Sequence, residues 1–213
     1  VTADDYKVLV KSLYANAQSV QVYGGEDAAT PDYGKVYISI KAKSGSNLTE
    51  LTKSNLVQSL KSFAVASVTP VIIDPETTFI ILETTFKYDS SLTTKDVSTL
   101  ETNVINAISS YNTDTLENFT GMFRYSAVGK TIDDADTSIL SNITKVKMYK
   151  YITPTLSSGL KYTLSFNNAF FNPHSGHNAS AGGIVSSTGF KINNDSSTNE
   201  HFLDDDGAGN IRV

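Results

Sequence analysis

Apolar residues along this chain recur in two rhythms, one at every third or fourth position and one at every second, and together they divide it into helices and strands. The longest period-two run is residues 77–88, TTFIILETTFKY. Ile80, Leu82, Thr84, Phe86 and Tyr88 share one face of it; the other is apolar at Phe79 and Ile81, then polar at Glu83, Thr85 and Lys87. This pattern predicts a strand covered on both sides at its start and wet on one side at its end. Helical patterns lie before and after it, so it is expected to be an inner strand of an α+β sheet.

Taken in order, residues 1–19 predict a helix with Thr2 as N-cap, Asp5 as its capping-box partner, and a stripe of Tyr6, Leu9, Val10 and Leu13. Val20 and Val22 mark a short strand, and GGEDAATPDYG over residues 24–34 reads as a wide surface turn. Residues 35–43 alternate as a strand, with Val36, Ile38 and Ile40 on one face. A second helix is expected over residues 52–66, capped by Thr52 and striped by Leu56, Val57, Leu60, Phe63 and Ala64. Pro70 and Pro75 flank an apolar run that suits an edge strand. A third helix is expected over residues 94–111, with Val97, Leu100, Val104, Ala107, Ile108 and Tyr111 inward, and a last strand over residues 143–152. Residues 112–142 give no clear period.

The order helix, strand, strand, helix, strand, helix, strand predicts an α+β fold. We expect a two-layer α/β sandwich, a mixed sheet with helices on it, over residues 1–153. PTLSSG at residues 154–159 reads as a boundary. Beyond it, short apolar islands between Gly, Ser, Asn and His predict a small β-rich, loop-rich unit over residues 154–213, expected to lean on neighbours or on missing sequence for stability. The chain opens on Val1 and closes on Val213 in strand-like sequence, which we read as a piece of a longer polypeptide.

Composition narrows the function. Of 213 residues 39% are hydrophobic and only 18% charged, and Ser, Thr and Asn make up the difference, as in β-rich, hydroxyl-coated proteins. The net charge is −5 and the arginines are Arg124 and Arg212, so no basic stripe is available to follow a phosphate backbone and nucleic acid is not an expected partner. No apolar run approaches the roughly 18 residues of a membrane span. Cysteine is absent, which removes disulfides and thiolate metal sites and fits the cytosol.

Candidate chemistry is sparse. His174, His177 and His201 could in principle give a three-imidazole metal site of the hydrolase kind, but their spacing is poor for one loop and no carboxylate stands beside the pair; surface histidines are the preferred reading. Asp133, Asp134 and Asp136 lack the glycine turn and distal Glu of an ion-binding loop, and read as caps of a helix or turn. In DDDGAG at residues 204–209, setting Gly207 sixth in a calcium loop puts Phe202 first, where it cannot ligate. Gly129-Lys130-Thr131 ends like a phosphate loop without its leading glycine. Nucleophile elbows and zinc-protease motifs are missing, so no catalytic residue, metal ligand, cofactor or small-molecule substrate is assigned and no enzyme is expected. Tyr23, Tyr33 and Tyr37 could offer stacking faces to a sugar, which keeps a carbohydrate- or host-surface-binding module as the alternative.

Several stretches in order resemble the baseplate wedge proteins of contractile-tailed bacteriophages, within a wider baseplate-J-like family, and specifically their C-terminal half. They are VTADDYKVLV at the start, DYGKVYISIKAKSG at residues 32–45 and FRYSAVGKTIDDADTSILSNIT at residues 123–144. NPHSGH at residues 172–177, STGFKI at 187–192 and FLDDDGAGNIR at 202–212 resemble the wedge proteins of large myoviruses more narrowly. The resemblance implies a virion structural protein without catalytic residues, assembled in the host bacterial cytoplasm. Such proteins pair as homodimers, contact other baseplate wedge proteins, and join wedges into a ring that changes shape when the sheath contracts.

Overall fold

The computed structural model describes residues 2–28, 30–44, 47–63, 68–156, 159–166, 184–192, 200–205 and 211–212. The chain parts into two units, Val1–Tyr151 and Ile152–Val213. The class is α+β, as the periodicities predict, but in the first unit the strands form two sheets instead of one.

The first sheet belongs to residues 3–73. Helix α1 (Ala3–Leu13) starts at the predicted capping box: the Asp5 N–H donates to Thr2 Oγ1 at 3.3 Å and the Thr2 N–H to Asp5 Oδ2 at 2.7 Å. Strands β1 (Ala17–Gly24) and β2 (Lys35–Ala42) pair antiparallel, and β3 (Thr69–Ile73) adds parallel to β2 at the edge, where Pro70 withholds no hydrogen bond that the sheet needs. Helix α2 runs Glu50–Lys61, starting earlier than expected, because Thr49 rather than Thr52 is the cap; its Oγ1 accepts from the Thr52 N–H at 3.2 Å. Tyr6, Val10, Val20, Ile38, Ile40, Leu56 and Leu60 close one core between helices and sheet. Phe63, expected in the α2 stripe, lies past the helix end and is exposed; its other expected member Ala64 lies outside the described residues. Leu13, in the last turn of α1, is also exposed.

The second sheet belongs to residues 79–149. Strand β4 (Phe79–Tyr88) pairs antiparallel with β5 (Ile139–Tyr149) and with nothing else among the described residues. It is therefore an edge strand, not an inner one, and Phe79 and Ile81 are 37% and 44% exposed where cover on both faces was expected. The last strand also ends earlier and begins sooner than residues 143–152. Helix α3 (Val97–Tyr111) is capped by Asp96, not started at Thr94; Asp96 Oδ1 accepts the Thr99 N–H at 2.9 Å. Leu100 and Val104 on it are buried, while Val97 is exposed. The aperiodic stretch resolves into a π-turn (Asn112–Leu116) and a fourth helix, α4 (Tyr125–Asp133). Val128 and Ile132 of α4 meet Val104, Ile139, Leu82 and Phe86 in a core separate from the first.

The two sheets meet sparingly. The Phe119 N–H donates to Ser19 Oγ at 3.2 Å, and Gln18 Nε2 reaches the Thr113 carbonyl at 3.5 Å. The second unit contains a two-stranded ribbon, β6 (Asp204–Asp205) against β7 (Ile211–Arg212), extended by antiparallel bridges Ser186–Asp204 and Phe190–His201.

Candidate assembly surface

With each core closed beneath its own helices, the outward face of β4 and β5 is the most distinctive exposed surface of the first unit. Alternation builds it: the even residues of β4 turn to the helices and the odd ones away. At one end Phe79 stacks on its cross-strand partner Tyr149 with ring centres 4.9 Å apart, and Tyr151 meets both edge-on at 5.3 Å. The Tyr151 phenol raises the pKa of Tyr149 above its ordinary value. In the middle, Glu83 accepts from Lys147 Nζ at 2.7 Å, and that ammonium holds the Glu83 carboxyl below its usual range. Lys145 lies directly across from Glu83, and Ile143, 70% exposed, across from Thr85.

The inner face is fixed by polar bonds that the sequence did not announce. Thr84 Oγ1 and Thr144 Oγ1 are 3.1 Å apart, and Thr144 donates to Asn142 Oδ1 at 2.8 Å. Asn142 Nδ2 in turn donates to the Gly129 carbonyl at 2.9 Å and to Asp133 Oδ1 at 2.7 Å. Tyr125 donates its hydroxyl to the Thr144 carbonyl at 3.0 Å. These contacts lock α4 onto β5, so the sheet behind the outward face is a rigid support. Asn142 joins the strands to α4 in this network, and nothing in the run Ser141-Asn142-Ile143-Thr144 sets it apart in sequence.

The acids singled out from sequence go to separate structural tasks. Asp133 takes Asn142, and Asp134 takes Lys130. Asp136 accepts the Ser138 N–H at 3.0 Å, the Ser138 hydroxyl at 2.7 Å and Lys95 Nζ at 2.5 Å. Lys95 and Asp136 line an open depression with residues 91–94 and Thr137. The Lys95 ammonium first, then the Ser138 donors, lower the Asp136 pKa from 3.8 to about 2. A carboxyl held lower in the folded chain than in the unfolded one stabilises the fold fully above its unfolded value, and that contribution fades as pH falls toward the folded one. Asp136→Asn is therefore expected to remove an acid-sensitive part of the stability between pH 3.8 and about 2. Denaturant unfolding across that range checks it; an unchanged pH slope in the variant would refute the assignment.

Tyr23 and Tyr37 stack on each other with ring centres 5.5 Å apart, and Tyr37 donates to Asp32 Oδ2 at 3.1 Å. Tyr33, 80% exposed, stands outside that stack, so the three do not form a joint platform. His201 sits in the bridge to Phe190, rings 6.2 Å apart, whereas His174 and His177 lie outside the described residues. Among the described residues no three His, Asp or Glu side chains converge as ligands for an ion. No helix of the described chain is long and apolar enough to cross a membrane.

Two family models match this chain end to end along the first unit. That of the baseplate structural protein gp6, C-terminal domain I, covers residues 2–73, and that of its C-terminal domain III covers residues 76–151. The seam between them falls where the first sheet ends and the second begins. The baseplate wedge protein gp6 of Enterobacteria phage T4 is 30% identical over 196 residues, spanning 83% of this chain and 29% of that protein. The chain thus spans less than a third of that relative's length.

Proposed function

The chain is a homologue of the baseplate wedge protein gp6, and from that premise we propose that it is a structural component of a contractile phage tail baseplate. In this reading it resides in the virion and joins wedges into a ring by self-association as a homodimer and by contacts with neighbouring wedge proteins. The kinship with the wider baseplate-J-like components is part of the same proposal. The observation that carries it is the pair of gp6 domain matches over residues 2–151, whose seam coincides with the gap between two independently closed cores. Two small rigid modules with an exposed, mixed aromatic and charged sheet face suit a part that is held by neighbours on several sides.

The test is to label intact tails with antibody raised against this chain and to image them by electron microscopy. Label confined to the baseplate is expected, and label along the tail tube, on the head or nowhere on intact particles would overturn the proposal.

A further inference from the structure

Strand β4 is ten residues long and has one hydrogen-bonded neighbour, β5. Among the described residues no hydrogen bond from outside the β4–β5 pair reaches a main-chain atom of residues 80–87. The outer edge of β5 differs, since Tyr125 already engages the Thr144 carbonyl. A two-stranded sheet is marginal by itself, and a long open edge is a template for another strand. Proteins often block such an edge with a lone lysine. Lys87 would serve, and its side chain has no ion pair or hydrogen bond among the described residues. Glu83, four residues earlier on the same exposed face, changes what that lysine does.

We propose that β4 pairs with β4 of a second copy of this chain, antiparallel about a two-fold axis centred on Thr85. The proposal rests on the self-association part of the function proposed above and names its surface. Residues of one parity spend their main-chain groups on β5 and those of the other parity offer theirs outward, so self-pairing opposes residues of like parity. The centre of the register then decides which side chains meet. Centred on Glu83, the pairing sets like charges opposite each other. Centred on Thr84, it sets Glu83 against Thr85 and Ile81 against Lys87; centred on Phe86, it sets Glu83 against Asp89. Centred on Thr85, Glu83 of each copy faces Lys87 of the other, twice, by symmetry.

The outward row across the joined sheet then alternates in charge. It runs from Lys145 to Glu83, to Lys87 of the second copy and on to that copy's Ser141. On the inward row Thr84 faces Phe86 and Leu82 faces Tyr88. Leu82 and Phe86 already pack on the second core, so the apolar layer continues across the seam. The result is a four-stranded sheet with helices on one side, large enough to be stable.

The absence of cysteine makes a clean test possible. Directly opposed residues of an antiparallel pair have Cα atoms about 4.5–5.5 Å apart, within disulfide reach. Thr85→Cys in the full chain is expected to form a covalent dimer under mild oxidation. Ser54→Cys, on an exposed position of α2, is the control and should not. In sedimentation, Lys87→Glu should weaken the dimer at least about tenfold, because two attractive pairs become repulsive, and Glu83→Lys/Lys87→Glu should regain most of it. Circular dichroism checks that each variant folds. If the unaltered chain dimerises yet Thr85→Cys crosslinks no better than the control and Lys87→Glu has no effect, this edge is wrong and self-association stands. If the unaltered chain is a monomer at every concentration, both fall.

Discussion

Replacing Leu60 with alanine is expected to lower the stability of the residue 3–73 module by about 2–5 kcal/mol, the range for deleting a large aliphatic side chain from a closed core. Leu60 is fully buried at the foot of α2 and packs in a core with Tyr6, Val10, Ile38 and Ile40. Strand β2 supplies Ile38 and Ile40 from the centre of its sheet, so the backbone there cannot collapse into the void, which favours the upper part of the range. Ile132→Ala should cost a similar amount in the other core, where Val104, Val128 and Ile139 surround it. The two cores share no residue, so the losses should be local. Hydrogen exchange read by mass spectrometry tests this: Leu60→Ala should lose protection in α1, α2 and β1–β3 while α3, α4 and β5 keep theirs. Equal loss in both halves would mean that the links at Ser19 and Gln18 couple the modules into one cooperative unit.

That independence explains which parts of the fold could be read from the chain and which could not. Each helix stripe and each alternating strand is a local property, and β2, β4 and the capping box that starts α1 stand where the pattern puts them, although α1 ends at Leu13 and residues 17–19, expected to be helical, open β1. Sheet membership is not local. The apolar opening of β4 at Phe79 and Ile81 suggests burial on both faces, but Phe79 instead joins Tyr149 and Tyr151 in a surface cluster, and Ile81, across from Lys147, is left 44% exposed. The five residues between β3 and β4, carrying Pro75, hold Asp74 to Lys53 and Glu76 to Lys150, and the chain changes sheets there. Helix α4 escaped notice because it is short and has Gly129 within it, leaving only Val128 and Ile132 as a buried stripe. The charges of the candidate surface were visible as letters, but Glu83 and Lys87 acquire meaning only once β4 is known to be an edge.

Gly25→Ala is expected to destabilise the first module by about 1–3 kcal/mol, the cost typical of forcing an atom into filled space. The segment around it read from sequence as a wide surface turn; in the fold it closes back on itself. Gly25 is buried at the start of a 3-10 turn, and its carbonyl accepts the N–H of Ala28 at 3.3 Å and that of Asp32 at 2.9 Å. A Cβ at this position would lie 1.8 Å from the Asp32 carbonyl oxygen, so a main-chain atom and not a flexible tip must yield. Moving Asp32 would also disturb its pairing with Lys35 at 2.6 Å and its bond from Tyr37, which together anchor the entry to β2. Gly34, with φ of 79°, makes the second bend that this closure requires, in the left-handed region that favours glycine. Thermal unfolding of Gly25→Ala should show a lower midpoint for the first module, together with lost exchange protection at the start of β2. A variant that melts like the parent would mean that the loop opens at no cost, and that the closure around Asp32 contributes nothing to holding β2 in place.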